Sequence, residues 1–158
     1  MSEQAARTRM SQAARYVVGL HWCPVENGIS VGYPDTSFSI AAGAGPGIRH
    51  PMEGHLELKF AKHWPKREST TFKLKHFTTQ QREWIITRTR CGGIAGVVLR
   101  VANDGWYLYL GTRAICLGDG TTIGLHERQR AIWHSPSMRQ HDMLSMFAAM
   151  HQYYHGTI

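Results

Sequence analysis

Two carboxylates and an ammonium, Asp35, Glu57 and Lys59, have the types and spacing to do chemistry together. Side chains on a strand alternate faces, so from His55 to Ala61 the apolar Leu56, Leu58 and Phe60 share one side while Glu57 and Lys59 share the other. The same period puts Asp35, Ser37 and Ser39 on one side of the preceding segment and Phe38 and Ile40 on the other. If the two segments pair, Asp35 and Glu57 converge. Carboxylates that close repel each other unless a cation lies between them, and oxygen ligands suit a hard ion such as Mg²⁺ or Mn²⁺. One face of the strand packs and the other, with Glu57 and Lys59, is left for chemistry, which makes metal-assisted hydrolysis the expected reading.

The elements that must position these groups belong to a chain of 158 residues, 42% hydrophobic and 10% aromatic, enough for one core and therefore one expected domain spanning residues 1–158. Lys and Arg number 18 against 11 Asp and Glu, a net charge of +7. With a pI of about 9.7, that balance favours a polyanionic partner such as DNA. The three cysteines, Cys23, Cys91 and Cys116, lack the paired spacings of a zinc or disulfide framework and suit a reducing, cytoplasmic setting. No apolar run is long enough to span a bilayer, and no secretory leader is expected.

Along the chain, Ala6, Met10, Ala13, Ala14 and Val17 recur at helical spacing, which predicts an amphipathic helix laid on a sheet. A short strand is expected over His21 to Val25, a turn at Glu26-Asn27-Gly28, then the Asp35 strand. The glycine-rich stretch 41–47 reads as a turn between the two site strands; it lacks the Gly-Lys-Ser/Thr ending of a phosphate-binding P-loop. From Phe60 to Phe77 the chain is basic: Lys62, Lys66, Arg67, Lys73 and Lys75 surround Trp64, a composition suited to contacting phosphates. Trp64 is either a stacking side chain for unpaired bases or a packing anchor for the loop.

Thr78 offers an N-cap to a helix that Gly92-Gly93 ends, and Ile94 to Val101 reads as a buried strand followed by another at Trp106 to Leu110. Beyond Gly111 the signal thins to a turn at Gly118-Asp119-Gly120 and a final helix. That helix carries Met143, Phe147, Met150 and Tyr154 as a stripe for the core or for a homodimer contact. His151 and His155 stand four apart without a third ligand in view, so a metal role there is the minor reading.

The ordered combination of Gly-Tyr-Pro-Asp (Gly32 to Asp35), Leu-Glu-Leu-Lys (Leu56 to Lys59), a helix opening Phe77-Thr78-Thr79-Gln80-Gln81, and Gly92-Gly93 before an apolar strand resembles the PD-(D/E)xK nuclease superfamily. It is most similar to the small VRR-NUC-like and Holliday-junction-resolvase-like members of phages and bacteria. The resemblance covers about residues 25–101, with 111–158 as accessory strands and helix. It implies a restriction-endonuclease-like α/β core, a mixed central sheet flanked by helices, and Mg²⁺-dependent (or Mn²⁺-dependent) hydrolysis of DNA, structure-selective in recombination or repair. A restriction-like nuclease and a catalytically idle DNA-binding protein on the same fold are the alternatives.

By the resemblance Asp35 and Glu57 are metal ligands completed by the backbone carbonyl of Leu58, Lys59 is the motif lysine, and Gln81, in preference to Gln80, is the helix glutamine. A further acid from the first helix is common in the superfamily. Here the first helix offers only Glu3, and Glu26 is the preferred substitute.

Overall fold

The computed structural model describes residues 2–25 and 31–156. The turn expected at Glu26, and Glu26 itself, lie outside the described residues.

The chain opens with α1 (Glu3–Ala14), whose N-cap Ser2 accepts the Ala5 amide through Oγ at 3.2 Å. That satisfies one of the amides a helix start leaves without an intrahelical partner. Ala6, Met10, Ala13 and Ala14 form its buried face, as the spacing predicts, and their small side chains let α1 lie close on the sheet.

The main sheet has six strands in the order β1-β2-β3-β5-β6-β8. β1 (Leu20–Pro24), β2 (Thr36–Ile40) and β3 (Met52–Ala61) run as an antiparallel meander. α2 (Thr79–Arg90) then carries the chain across, and β5 (Ile94–Val101) returns parallel to β3, with Glu57 beside Val97. β6 (Gly105–Leu110) and the edge strand β8 (Trp133–Ser135) complete it. β5 is apolar almost throughout because both of its faces are covered. Val98 lies in the layer under α1 and α5 (Gln140–His155), whereas Val97 and Leu99 lie in the layer under α2.

One expectation for the C-terminal part changes. Asp119 and Gly120 are not a turn but the start of β7 (Asp119–Ile123), which pairs antiparallel with β4 (Thr71–Lys73) in a second, two-stranded sheet. The turn falls instead on residues 116–118, with Gly118 at φ +63°, and the Gly118 carbonyl accepts the Leu74 amide at 2.9 Å. Cross-strand pairing with β4 overrides the turn propensity of Asp and Gly. Of the two readings of the α5 stripe the core is the one observed: Met143, Met146, Phe147 and Met150 are fully buried against the sheet.

Two short helices, α3 (Thr112–Ile115) and α4 (Gly124–Arg130), connect β6, β7 and β8. His151 does find neighbours, since the His50 amide donates to its Nε2 at 3.1 Å and the His50 ring stacks on it. Even so, no group of three or more His, Cys, Asp or Glu among the described residues is arranged to hold a metal. All three cysteines are free.

Candidate active site

The pairing of β2 with β3 matches Thr36 to Leu56, so Asp35 arrives opposite Glu57 just as β2 begins. The carbonyl of Asp35 faces outward and accepts the Val25 amide at 2.7 Å. Its side chain points the other way: Oδ2 accepts the Leu58 amide at 3.0 Å, the next donor on β3 beyond the β2 ladder. Asp35 Oδ1 lies 2.8 Å from the guanidinium of Arg7, which also pairs with Glu3 Oε1 at 2.8 Å. A chain of charges thus runs from the first turn of α1 to the buried edge of β3.

Glu57 is 1% exposed and Lys59 5%, and they share the face that turns toward α2. Glu57 Oε1 accepts from Lys59 Nζ at 2.8 Å and from Gln81 Nε2 at 2.6 Å. Its other oxygen, Oε2, is buried with no partner among the described residues. A buried carboxylate oxygen left unpaired costs free energy, so an arriving cation has an acceptor waiting. Burial pushes the Glu57 pKa up to about 7; Lys59 opposes the rise and the negative charge of Asp35 adds to it. Lys59 Nζ also donates to the His76 carbonyl at 3.0 Å, which ties the motif lysine to the segment entering α2.

Gln81 has two tasks. It is the third residue of α2, and with Thr78 it forms a reciprocal capping box: Thr78 Oγ1 accepts the Gln81 amide at 3.2 Å while Gln81 Oε1 accepts the Thr78 amide at 3.0 Å. Because the amide oxygen is taken by an N–H donor, the amide nitrogen is the end that faces Glu57. Gln80, by contrast, is exposed.

The start of α2 is pinned by Gly32. At φ +84°, a Cβ there would come within 2.6 Å of the Gln80 carbonyl oxygen, so only glycine allows this approach. The next residue, Tyr33, places its hydroxyl 2.9 Å from His55 Nε2, and both rings pack edge-on against Trp84. This aromatic cluster braces α2 beside Glu57.

The structure therefore brings Asp35, Glu57, Lys59 and Gln81 together, as the sequence leads one to expect. Leu58 contributes its backbone: its amide holds Asp35, and its carbonyl belongs to the same stretch of β3. Arg7, Tyr33, His55 and Trp84 were not singled out from the sequence. Glu3, passed over there in favour of Glu26, is the first residue of α1 and reaches Asp35 through Arg7. The i, i+4 spacing of Glu3 and Arg7 was a legible signal for their pairing with each other, though not for its destination.

The basic residues Lys62, Lys66, Arg67, Lys73 and Lys75 are all exposed along the segment after β3. None is in an ion pair among the described residues. Trp64 differs from them. It is half-buried, its indole N–H donates to Asp104 Oδ2 at 2.7 Å, and its ring packs against Phe72 and Tyr107. That is the geometry of an anchor for the loop.

The donor set fits a hard divalent ion. Asp35 and Glu57 supply carboxylate oxygens from adjacent strands, and one of those oxygens is buried and unpaired. Among the described residues only these two acids stand at the centre, since Glu3 is engaged by Arg7.

The fold is a mixed α/β fold, with a six-stranded central sheet flanked by helices. Among solved structures the chain is similar to Hjc, a Holliday junction resolvase from the archaeal hyperthermophile Archaeoglobus fulgidus. The TM-score is 0.51 at 15% identity, over 92% of this chain and 97% of that one. At that identity the likeness is one of fold. No family model matches the sequence, and no curated protein matches it. Among the described residues no helix is long and apolar enough to cross a membrane.

Proposed function

We propose that the protein is a divalent-metal-dependent DNA endonuclease that hydrolyses phosphodiester bonds and prefers branched DNA. The observation that carries this reading is the buried Glu57 Oε2, without a partner among the described residues, on the strand paired with β2 just where Asp35 arrives, with Lys59 and Gln81 already bonded to the other oxygen. Mg²⁺ or Mn²⁺ held by Asp35, Glu57 and the Leu58 carbonyl would lower the pKa of a water and draw charge from the scissile phosphate.

The chain's own groups do the rest. Lys59, fixed between Glu57 and the His76 carbonyl, presents an ammonium where negative charge develops on the phosphate oxygens. Gln81 holds Glu57 in one orientation through its amide, and the capping box in turn holds Gln81. The exposed lysines and arginine of residues 62–75 bind the backbone of the DNA by charge, with Trp64 anchoring the loop that carries them. The preference for branched DNA is supported by the fold shared with a Holliday junction resolvase.

The test is incubation of the purified protein with four-way, forked, duplex and single-stranded DNA in Mg²⁺ or in EDTA. Metal-dependent cleavage that is fastest on the branched substrates is expected. Equal cleavage of plain duplex would remove the structure preference, and no cleavage of any DNA with Mg²⁺ or Mn²⁺ would remove the nuclease reading.

A further inference from the structure

The glycine-rich stretch 41–47 and the His151/His155 pair, neither of which serves the carboxylate site, meet at one cleft of about 590 Å³. Pro46, Gly47 and Arg49 of the β2–β3 connection form one wall. The other is α5, where Leu144, Ala148, His151 and His155 follow one another at i, i+4, i+7 and i+11 down one flank. We propose that this cleft binds a nucleotide, its phosphate held by Arg49 and the imidazoles of His151 and His155 and its base laid on the apolar part of the lining. This is a second site, built from none of Asp35, Glu57, Lys59 and Gln81, and it holds whether or not the chain cuts DNA.

The loop wall is formed before a ligand arrives. The connection folds back on itself: the Gly43 amide donates to the Ile48 carbonyl at 2.7 Å and the Ile48 amide to the Gly45 carbonyl at 3.2 Å. The buried Ile48 side chain pins the loop to the core. A Cβ on Gly45 would come within 2.8 Å of Leu144 Cδ2, so glycine there lets the loop lie close against α5. A preformed cleft of this size, mostly apolar with a few converging polar groups, is the usual form of a small-molecule site.

His151 supplies the buried polar group. The His50 amide donates to its Nε2 at 3.1 Å, so that nitrogen is bare and the neutral ring carries its proton on Nδ1. The residue is 5% exposed, and its Nδ1–H has no partner among the described residues. A buried donor left unpaired is satisfied when an acceptor oxygen enters. The rings of His50 and His155 lie 5.4 and 4.6 Å from that of His151, centroid to centroid. Burial, and then His155, His50 and Arg49, hold His151 below the ordinary histidine pKa, and an anion in the cleft relieves that crowding of positive charge.

The charge of the lining selects an anion. No Asp or Glu lines the cleft among the described residues. Asp142, beside the lining residue His141 and 3.5 Å from its Nε2, is already taken by the Ser135 and Ser137 hydroxyls and the Arg139 amide. Arg49 is exposed and in no ion pair among the described residues, and a guanidinium grips a phosphate through two N–H groups. The cleft runs along the flank of α5, off the helix axis where the partial negative charge of the C-terminus would oppose an anion. Gln152 stands in the same lining with its side-chain amide unbonded among the described residues, a donor and an acceptor that suit the edge of adenine.

The test is calorimetric titration in EDTA with three probes: dAMP, deoxyadenosine and inorganic phosphate. dAMP should bind, and each of its two halves should bind about tenfold or more weakly. Arg49→Ala, at an exposed position, should keep its melting temperature and lose about tenfold in affinity for dAMP. Equal binding of dAMP by wild type and Arg49→Ala overturns the site, and so does dAMP that binds no tighter than deoxyadenosine.

A second measurement needs no substitution. The imidazole signals of the ten histidines are followed by NMR as dAMP is added in EDTA. Those of His151 and His155 should move while His21 and His63, outside the cleft, stay in place. A titration that moves neither His151 nor His155 overturns the site. Repeating it with 5′-phosphorylated and 5′-hydroxyl oligonucleotides separates the two sources of the ligand. Movement with the phosphorylated strand as well as dAMP assigns a strand end, movement with dAMP alone assigns the free nucleotide, and either result supports the site.

Discussion

Glu57→Gln should change the pH dependence of stability in a way that only the buried carboxyl explains. At 1% exposure this group sits at a pKa of about 7, against 4.5 for an ordinary glutamate. Between those values the folded protein keeps a proton that the unfolded chain has released. The stability contributed by the neutral carboxyl is therefore full below pH 4.5 and lost as pH rises through 7. A gap of about two and a half pH units at about 1.36 kcal/mol each amounts to about 3 kcal/mol. The glutamine variant stays neutral throughout.

Urea unfolding of both proteins in EDTA, from about pH 4.5 to about pH 8, gives the comparison. Wild-type stability should fall relative to the variant by about 3 kcal/mol over that range. His55 and His151, both held below the ordinary histidine value chiefly by burial, tilt the curve the opposite way, because protonating them favours unfolding as pH drops. They are present in both proteins and cancel in the difference. Mg²⁺ should offset the loss above pH 7 in wild type and leave the variant unmoved. A difference curve that stays flat to within about 1 kcal/mol would refute the reasoning.

Gln81→Ala should slow single-turnover cleavage by about 10- to 100-fold, whereas Gln80→Ala, at an exposed position, should leave it near wild type. If Gln80→Ala is the slower, the assignment of the site glutamine is wrong. Lys62→Ala/Lys66→Ala/Arg67→Ala should weaken binding to all duplex sequences and flatten the salt slope by about two to three units, read by anisotropy; an unaltered slope makes that loop a solvated surface only. Arg7→Ala frees Asp35 Oδ1, so calorimetry without DNA should show Mn²⁺ binding about two- to fivefold tighter, and weaker binding would mean that Arg7 supports the metal site.

The site was legible where chemistry followed local periodicity. The two-residue period of β2 and β3 was enough to place Asp35 and Glu57 together, and the N-cap read at Thr78 set the start of the helix from which Gln81 reaches Glu57. What was not legible depended on contacts distant in sequence. Arg7 reaches Asp35 only because alanines set α1 down close to the sheet, and Tyr33 meets His55 and Trp84 only once α2 has crossed over β3. The strand β7 was hidden behind turn-forming residues, since its partner β4 lies about 50 positions away. The apolar stripe of α5 was plain, but burial against the sheet, not pattern, decided that it serves the core.

Cleavage of a labelled four-way junction in Mg²⁺ by wild type, Asp35→Ala and Glu57→Ala, each shown to be folded and to bind the junction in EDTA, tests the metal-centre reading most directly. Each variant removes a carboxylate ligand and no phosphate contact, so wild type should cut while both variants bind about as well and do not cut. A pure Glu57→Ala protein that retains a tenth or more of wild-type cleavage, or a wild type that cuts equally well in EDTA, would contradict it.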